Sequence, residues 1–180
     1  ATNDYALWVD SGLSRFDGNV AIGGTDAVSL LDVRGPTGTG AAPAGVLTLA
    51  TNELTIVDND VLGRIEFRSP IATAGTDAIV TAASIWAEAN ATFSATVNAA
   101  DIVFATAASG AATEKMRILS SGNVGINIAA PDGTLHVQTA TAGSVTATAG
   151  ADDLVVENST PVGMTFLSPS GDYQQTIAFG

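Results

Sequence analysis

Apolar and polar side chains alternate along much of this 180-residue chain. The clearest case is residues 63–68, where Ile65 and Phe67 alternate with Arg64 and Glu66. Successive side chains of a β-strand point to opposite faces, so this pattern predicts a strand with one apolar and one polar face. Shorter runs of the same kind occur at residues 5–9, 102–105, 116–121 and 154–156.

Clusters of Gly, Asn and Asp separate these runs, at residues 17–19, 58–60, 121–123, 132–133 and 170–172. Such residues accept the positive φ angles of tight turns. We also predict a hairpin turn at residues 51–53, between runs of alternating leucines. The Ala-rich residues 81–100 contain β-branched and Asn residues, and we predict extended structure there. Short strands between regular turns are typical of an all-β fold.

A block of sequence occurs twice. Residues 18–33 read GNVAIGGTDAVSLLDV, and residues 122–137 read GNVGINIAAPDGTLHV, so that the two copies lie 104 positions apart. A chain that repeats a unit tends to be elongated, because each unit packs mainly on its neighbours. The duplication therefore predicts a fibre or rod built of tandem repeats.

The repeat and the linker-like stretches predict five segments. Residues 1–35 hold the first block and end a preceding unit, and residues 36–45 form a Gly/Pro linker. Residues 46–137 form a full β unit that ends in the second block. Residues 138–150 form an Ala/Thr/Gly linker, and residues 151–180 begin a following unit. The chain opens without Met and stops within a strand-like run, so we expect a segment of a longer polypeptide.

Composition and charge narrow the classes of function. The formal net charge is −12, Lys115 is the only lysine, and the five arginines are scattered. Binding to nucleic acid needs basic residues that neutralise phosphates, so we predict no nucleic-acid partner. No apolar run is long enough to span a bilayer, so we predict no membrane insertion. There is no cysteine. Most apolar side chains are small, which suits a thin structure in which backbones approach closely.

Residues 114–137 contain a recognisable motif. Residues 114–126 read EKMRILSSGNVGI, then come Pro131 and the LHV of residues 135–137. This pattern resembles a recurrent module in the tail fibres and appendages of tailed bacteriophages. Residues 60–67 resemble a second element of these fibres, and residues 154–166 with 176–179 look like a diverged copy of it. Asn127 stands where the family usually has Gly, and the first copy departs at Ala21 and Ala27.

The resemblance implies an elongated, intertwined homotrimeric β-fibre, a β-helix-like or β-prism-like shaft in which three chains share a core. It implies a structural component of the virion, located outside the cell, that projects a host-receptor-binding tip. The implied partners are two further copies, other virion tail or appendage proteins, and a host receptor bound through another segment. We expect packing by Ile65, Phe67, Ile118, Ile126, Leu135 and Val137, and turns at Gly18, Gly122, Gly125 and Gly133.

Two groups of polar residues are considered as metal ligands. His136, the only histidine, would form an axial ring of three in a trimer. Strand alternation instead places it opposite Leu135 and Val137, facing solvent, and the aligned Asp32 indicates that any polar side chain suffices. Asp58–Asp60 and the pair Asp152–Asp153 offer the oxygen ligands that Ca²⁺ takes, but lack the spacing of a calcium loop, and we predict turns.

Catalysis has little support in the sequence. There is no cysteine and no Gly-x-Ser-x-Gly elbow, and the glycine-rich linker lacks the Lys-Ser/Thr of a phosphate loop. We predict a non-enzymatic protein with no catalytic residue, cofactor or metal. Two other functions stay open: an adhesin or capsid-decorating fibre that itself contacts host glycans, and a tailspike-like glycan depolymerase. The aromatic residues Tyr5, Trp8, Trp86 and Tyr173 would stack on sugars in such proteins, although packing is the simpler prediction.

Overall fold

The computed structural model describes residues 20–22, 29–40, 44–68 and 75–165. These residues form nine β-strands and one 3₁₀ turn at Asp77–Ile79, and the described part of the chain has no α-helix. The prediction of an all-β fold is confirmed. The chain divides into two compact units, Ala1–Thr48 and Leu49–Gly180. Gly18 and the features predicted at residues 5–9, 17–19 and 170–179 lie outside the described residues.

The first unit contains a pair of short parallel strands, β1 (Val20–Ile22) and β2 (Leu31–Val33). Val20 aligns with Leu31, and Ile22 aligns with Val33. Parallel strands usually need a long connection, because the chain must return to the starting edge before it can pair again. Strands of only three residues shorten the distance over which the chain must return.

The second unit is a seven-stranded sheet whose strands follow one another in chain order. The strands are β3 (Val61–Phe67), β4 (Ala83–Ala89), β5 (Ala100–Thr106), β6 (Thr113–Ile118), β7 (Val124–Ile126), β8 (Leu135–Gln138) and β9 (Leu154–Glu157). Pairing is antiparallel from β3 to β7 and parallel from β7 to β9. Extended structure predicted for residues 81–100 is found at Ala83–Ala89 and Ala100, on either side of a loop.

The two copies of the repeated block form the same local structure. In the second copy, Val124 aligns with Leu135 and Ile126 aligns with Val137 in the parallel pair β7–β8. This register is that of β1 and β2, shifted by the offset of the sequence repeat. In the second copy a third parallel strand, β9, extends the pair, and residues 139–153 connect β8 to it. The stretch predicted as a linker, 138–150, therefore begins with the last residue of β8 and continues into this connection.

The turn that follows β7 explains the departure at Asn127. Asn127 has a φ of 60°, in the left-handed region, where Asn is among the most tolerant of the non-glycine residues. Its side-chain amide also donates to the Gln138 carbonyl oxygen at 3.0 Å. Asn127 therefore occupies a left-handed turn position that glycine would also accept.

The predicted glycine turns are found in part. Gly122 has a φ of 94° in the tight turn between β6 and β7. Gly125, in contrast, lies inside β7, so the prediction of a turn there was wrong. Gly125 and Gly133 are buried at points where a Cβ would collide with backbone of Ile128 and Asp152, respectively. At these two positions close approach of the backbone, and not turn geometry, requires a residue without a side chain.

The hairpin predicted around residues 51–53 was wrong, because residues 44–60 contain no strand. The leucines that suggested it are exposed: Leu47 by 63%, Leu49 by 44% and Leu54 by 100%. Alternation shows that a segment is able to form a strand, but a strand also needs a hydrogen-bonding partner.

Candidate functional site

One face of the seven-stranded sheet is apolar from edge to edge, and we call it the apolar face. Direct cross-strand partners build its first row, which contains Ile65, Ile85, Phe104, Met116, Ile126, Val137 and Val156. The neighbouring row contains Ala87, Ile102, Ile118, Val124, Leu135 and Leu154. All six residues expected to carry packing lie on this face, because Phe67 shares the orientation of Ile65. The alternation in the sequence therefore identified the face correctly.

The apolar face is mostly uncovered within the described part of the chain, although Leu49 lies against it at Gly63 of β3, where a Cβ would come 2.6 Å from the Leu49 carbonyl oxygen. None of the residues in its two rows is buried. Ile65 is 45% exposed, Leu154 is 47% exposed and Phe67 is 54% exposed. A row of large apolar side chains left in water costs free energy roughly in proportion to its area. The face is thus a surface that another apolar surface would stabilise.

The opposite face, which we call the covered face, holds most of the buried residues; Ala89, at the end of β4, is the exception among the buried apolar side chains. Val103 and His136 are 0% exposed, and Asp101 is 1% exposed. Among the described residues other than glycine, only Ala89, Val103 and Ala105 are buried apolar residues, and two of these are alanines. The core within one chain is therefore small and contains a high share of polar groups.

An ion cluster occupies the covered face, centred on Arg117. Arg117 Nη1 lies 2.9 Å from Glu88 Oε1 and 2.9 Å from Asp101 Oδ2, and its Nε and Nη2 donate to the two oxygens of Glu114 at 3.0 and 2.8 Å. The pair with Glu114 is bidentate, the strongest geometry for a guanidinium and a carboxylate. Hydrogen bonds to Glu114 raise the pKa of Arg117, with further contributions from Asp101 and Glu88, while partial burial opposes the shift.

Asp101 is the most buried acid of the cluster, and its oxygens are well supplied with donors. Asn90 Nδ2 donates to both oxygens at 2.8 Å, and the backbone N–H of Ser120 donates at 2.8 Å. A buried charge is tolerated when it is paired and hydrogen-bonded in this way. The cluster thus joins β4, β5 and β6 across the covered face.

The sequence analysis missed this cluster, for a specific reason. Strict alternation places Glu114 on the same face as Met116, opposite Arg117. In the structure, Ala105 pairs with Glu114 and Phe104 pairs with Met116, so that Lys115 is an extra residue in β6. This bulge turns Glu114 towards Arg117. The available signal was the concentration of charge in β6, where Glu114, Lys115 and Arg117 lie within four residues.

Beside the cluster lies a polar cleft of about 270 Å³, lined in part by Asp58, Asn59, Glu88 and Arg117. Residues 58–60 form the predicted turn: Asn59 has a φ of 71°, and Asp60 accepts from the Val57 N–H at 2.6 Å. In the described parts of the chain, no group of three or more His, Asp or Glu side chains is placed to hold a metal ion. The carboxylates here are neutralised in part by Arg117.

The second acidic pair leads into β9. The backbone carbonyl of Asp152 accepts from Thr134, and that of Asp153 accepts from Leu135, each at 3.0 Å. Through these bonds the backbone of residues 152–153 extends the parallel pairing between β8 and β9.

Of the four aromatic residues considered for sugar stacking, only Trp86 lies in the described part of the chain. The Arg64 guanidinium sits 4.8 Å from the centre of its ring, and its indole N–H donates to Glu88 at 2.9 Å. Tyr5, Trp8 and Tyr173 lie outside the described residues. Trp86 is half-buried and already has a cationic and an anionic partner, an arrangement that fits packing.

The prediction that His136 faces solvent was wrong. His136 does point away from Leu135 and Val137, as alternation requires, but the face it points to is the covered one, and the side chain is buried. Its Nδ1 accepts from the Asp132 N–H at 3.2 Å, and its Nε2 lies 3.0 Å from Glu157 Oε2. The connections that carry Asp132 and Ala142 lie over this side of the sheet and line a cavity beside the ring.

The aligned residue in the first copy, Asp32, also has a mostly buried side chain, with 11% exposed. It pairs with Arg34 at 2.7 Å. Hydrogen bonding and charge at Asp32 raise the pKa of Arg34. Both copies of the repeat thus place a polar side chain at a shielded position, with a polar or charged partner beside it.

In the comparison with known proteins, the chain matches no protein-family model, and no curated protein is significantly similar to it. Among the residues that the structure describes, no helix has the length and apolar character needed to cross a membrane. The geometry of the apolar face and the ion cluster therefore carries the functional argument.

Proposed function

We propose that this chain is a structural segment of a bacteriophage tail fibre or virion appendage. Its role is mechanical: three copies form a shaft, outside the cell, that projects a host-receptor-binding tip. The observation that carries the proposal is the apolar face, which extends over seven strands and is covered only in small part, by Leu49 at β3, within the described residues of one chain.

Energetics support a partner for this face. Ordering each residue of a strand costs about 1–2 kcal/mol of conformational entropy. Fully burying a large aliphatic side chain contributes about 1.5–3 kcal/mol. Among the described residues other than glycine, the buried apolar residues are one valine and two alanines. The larger apolar side chains of the sheet, such as Ile65 and Leu154, contribute fully only when the face is covered.

The nature of the partner follows from the chemistry of the face. The two rows contain no charged side chain, although the chain as a whole has a net charge of −12. A charged partner therefore finds no complementary group there, whereas a second copy of the same face matches it. The number three comes from the resemblance to fibre modules, and the need for a partner comes from the face itself.

The proposal assigns no catalytic role to the chain. The ion cluster around Arg117 stabilises the covered face, and its carboxylates are engaged by Arg117, Asn90 and backbone donors. Attachment to the host belongs to another segment of the fibre in this proposal.

Sedimentation velocity combined with light scattering tests the proposal. We expect the chain to form a trimer, and we expect Ile126→Asp to shift it towards monomer, because the substitution buries a charge between copies. Val145→Asp is the matched control, since Val145 is 68% exposed on the connection from β8 to β9, away from the apolar face. A stable monomer at micromolar concentration, or equal effects of the two variants, would overturn the proposal.

A further inference from the structure

The His136 imidazole lies where three parts of the second unit meet. It belongs to β8, it accepts a hydrogen bond from Asp132 in the β7–β8 connection, and it faces Glu157 of β9. Its exposed fraction is 0%. Any change at this ring is therefore transmitted to the connection of residues 127–134 or to β9.

The hydrogen bonds define where the proton of the neutral ring lies. Because Nδ1 accepts from the Asp132 N–H, it is unprotonated, and the proton is on Nε2. Nε2 lies 3.0 Å from Glu157 Oε2, within ion-pair distance, although its N–H is not aligned well enough for a hydrogen bond. A positive charge on the ring would strengthen this contact.

The Glu157 carboxylate is held in place by other donors. Gln138 Nε2 donates at 2.7 Å to Oε2, and the Ala142 N–H donates to Oε1. These two hydrogen bonds, in this order, are the main causes of a lowered pKa of Glu157. The carboxylate is therefore a fixed negative charge beside the ring as the pH falls.

Few other charged groups face His136. The β7–β8 connection contributes Asp132, and β9 contributes Glu157. From β7 the cross-strand partner is Gly125, and the β8–β9 connection contributes Ala142, Val145 and other uncharged residues. The proton balance at this position is thus set by one imidazole and two carboxylates.

We propose that His136 is a proton-operated latch on the β7–β8 connection. When the ring takes up a proton at Nδ1, that nitrogen becomes a donor and faces the Asp132 N–H, which is also a donor. The hydrogen bond breaks, residues 127–134 open locally, and Glu157 holds the imidazolium in β8. The neighbouring cavity of about 160 Å³ provides space for the movement. The latch lies within one chain and goes beyond the proposed function, whose outcome does not affect it.

The chain contains a single histidine, so imidazole NMR signals report on the latch alone. Long-range ¹H–¹⁵N spectra of the labelled full chain are recorded as a series from about pH 8 to about pH 5. We expect the Nε2–H tautomer at the upper end. As the ring titrates, the exchange protection of the Asp132 amide should fall about fivefold, the value of one ordinary hydrogen bond. An Nδ1–H tautomer would overturn the proposal, and so would exchange protection of the Asp132 amide that does not change as the imidazole becomes protonated.

Two variants sharpen the test. His136→Asn offers a side-chain acceptor to Asp132 but does not titrate, so Asp132 protection should become independent of pH. Glu157→Gln removes the fixed charge, and the imidazole midpoint should move to lower pH. Glu53→Gln is the matched control, because this exposed residue lies outside the sheet and should leave the midpoint unchanged. An unchanged midpoint in Glu157→Gln would refute the role of Glu157. If His136→Asn fails to fold, the wild-type titration decides the proposal on its own.

Discussion

Glu114 and Arg117 form a bidentate ion pair although strand alternation assigns them to opposite faces. The distances are 3.0 Å from Nε to Oε1 and 2.8 Å from Nη2 to Oε2. The β-bulge at Lys115 brings both side chains to the covered face. Since Arg117 also binds Glu88 and Asp101, the charged residues of the fibre-like motif have a structural role that the motif alone does not reveal.

Removal of Arg117 should destabilise the protein strongly. Arg117→Met leaves three carboxylates close together, one of them 1% exposed, and breaking a buried pair typically costs about 3–5 kcal/mol. Urea unfolding measures the loss. Arg64→Met is the control, because Arg64 is largely exposed and its contact with Trp86 contributes about 1 kcal/mol or less. Similar losses in the two variants would contradict the importance of the cluster.

Gly133 should tolerate no side chain. A Cβ at this position collides with the backbone carbonyl of Asp152 and contacts Val155, so Gly133→Ala should cost about 1–3 kcal/mol through overpacking. Gly163→Ala serves as control, since nothing lies near a Cβ there and no positive φ is involved. The free energy of unfolding of both variants is compared, and an equal value would show that the chain relaxes around Gly133.

Asn127 should be replaceable by Gly but not by Val. Its φ of 60° is unstrained for Gly, so Asn127→Gly should relieve backbone strain. The loss of the hydrogen bond to Gln138 should partly offset this gain in stability, so that the net change is about 1 kcal/mol or less. Asn127→Val forces a β-branched residue into the left-handed region and should cost about 1–3 kcal/mol. The difference between the two thermal unfolding midpoints is the measurement. A Val variant as stable as the Gly variant would exclude a left-handed turn.

Asp77 should give the loop of residues 107–111 a pH-dependent attachment. Its Oδ2 accepts from Ser109 Oγ at 2.8 Å and from the Gly110 N–H at 3.1 Å, and these two bonds lower the pKa of Asp77. Because the pKa of Asp77 is lower in the folded than in the unfolded chain, its stabilisation is complete at any pH above its pKa in the unfolded chain. This stabilisation is lost as the pH falls through the lower pKa that Asp77 has in the folded protein.

Amide exchange of Gly110 as a function of pH measures this attachment. Protection should decline only at acidic pH, and in Asp77→Asn it should be weaker and independent of pH over the same range. Protection in the wild type that stays constant through the acid range would contradict the attachment.

The sequence by itself determined the strands and their two faces. Alternation at Ile65 and Phe67 and the turn residues at Gly122 correctly predicted the pleated segments and the β6–β7 turn. The two copies of the block share one pairing pattern, since Val124 and Leu135 pair as Val20 and Leu31 do. These features are local, because pleating and turn geometry depend on neighbouring residues.

Only the tertiary structure decided which face is covered within one chain. His136 and Leu135 were correctly assigned to opposite faces, but the connections on either side of β8 cover the side of His136 and leave Leu135 partly exposed. Likewise, the bulge at Lys115 depends on pairing between β5 and β6. Alternation has a period of two and does not depend on what packs against either face, whereas coverage and register arise from how strands and connections pack against one another.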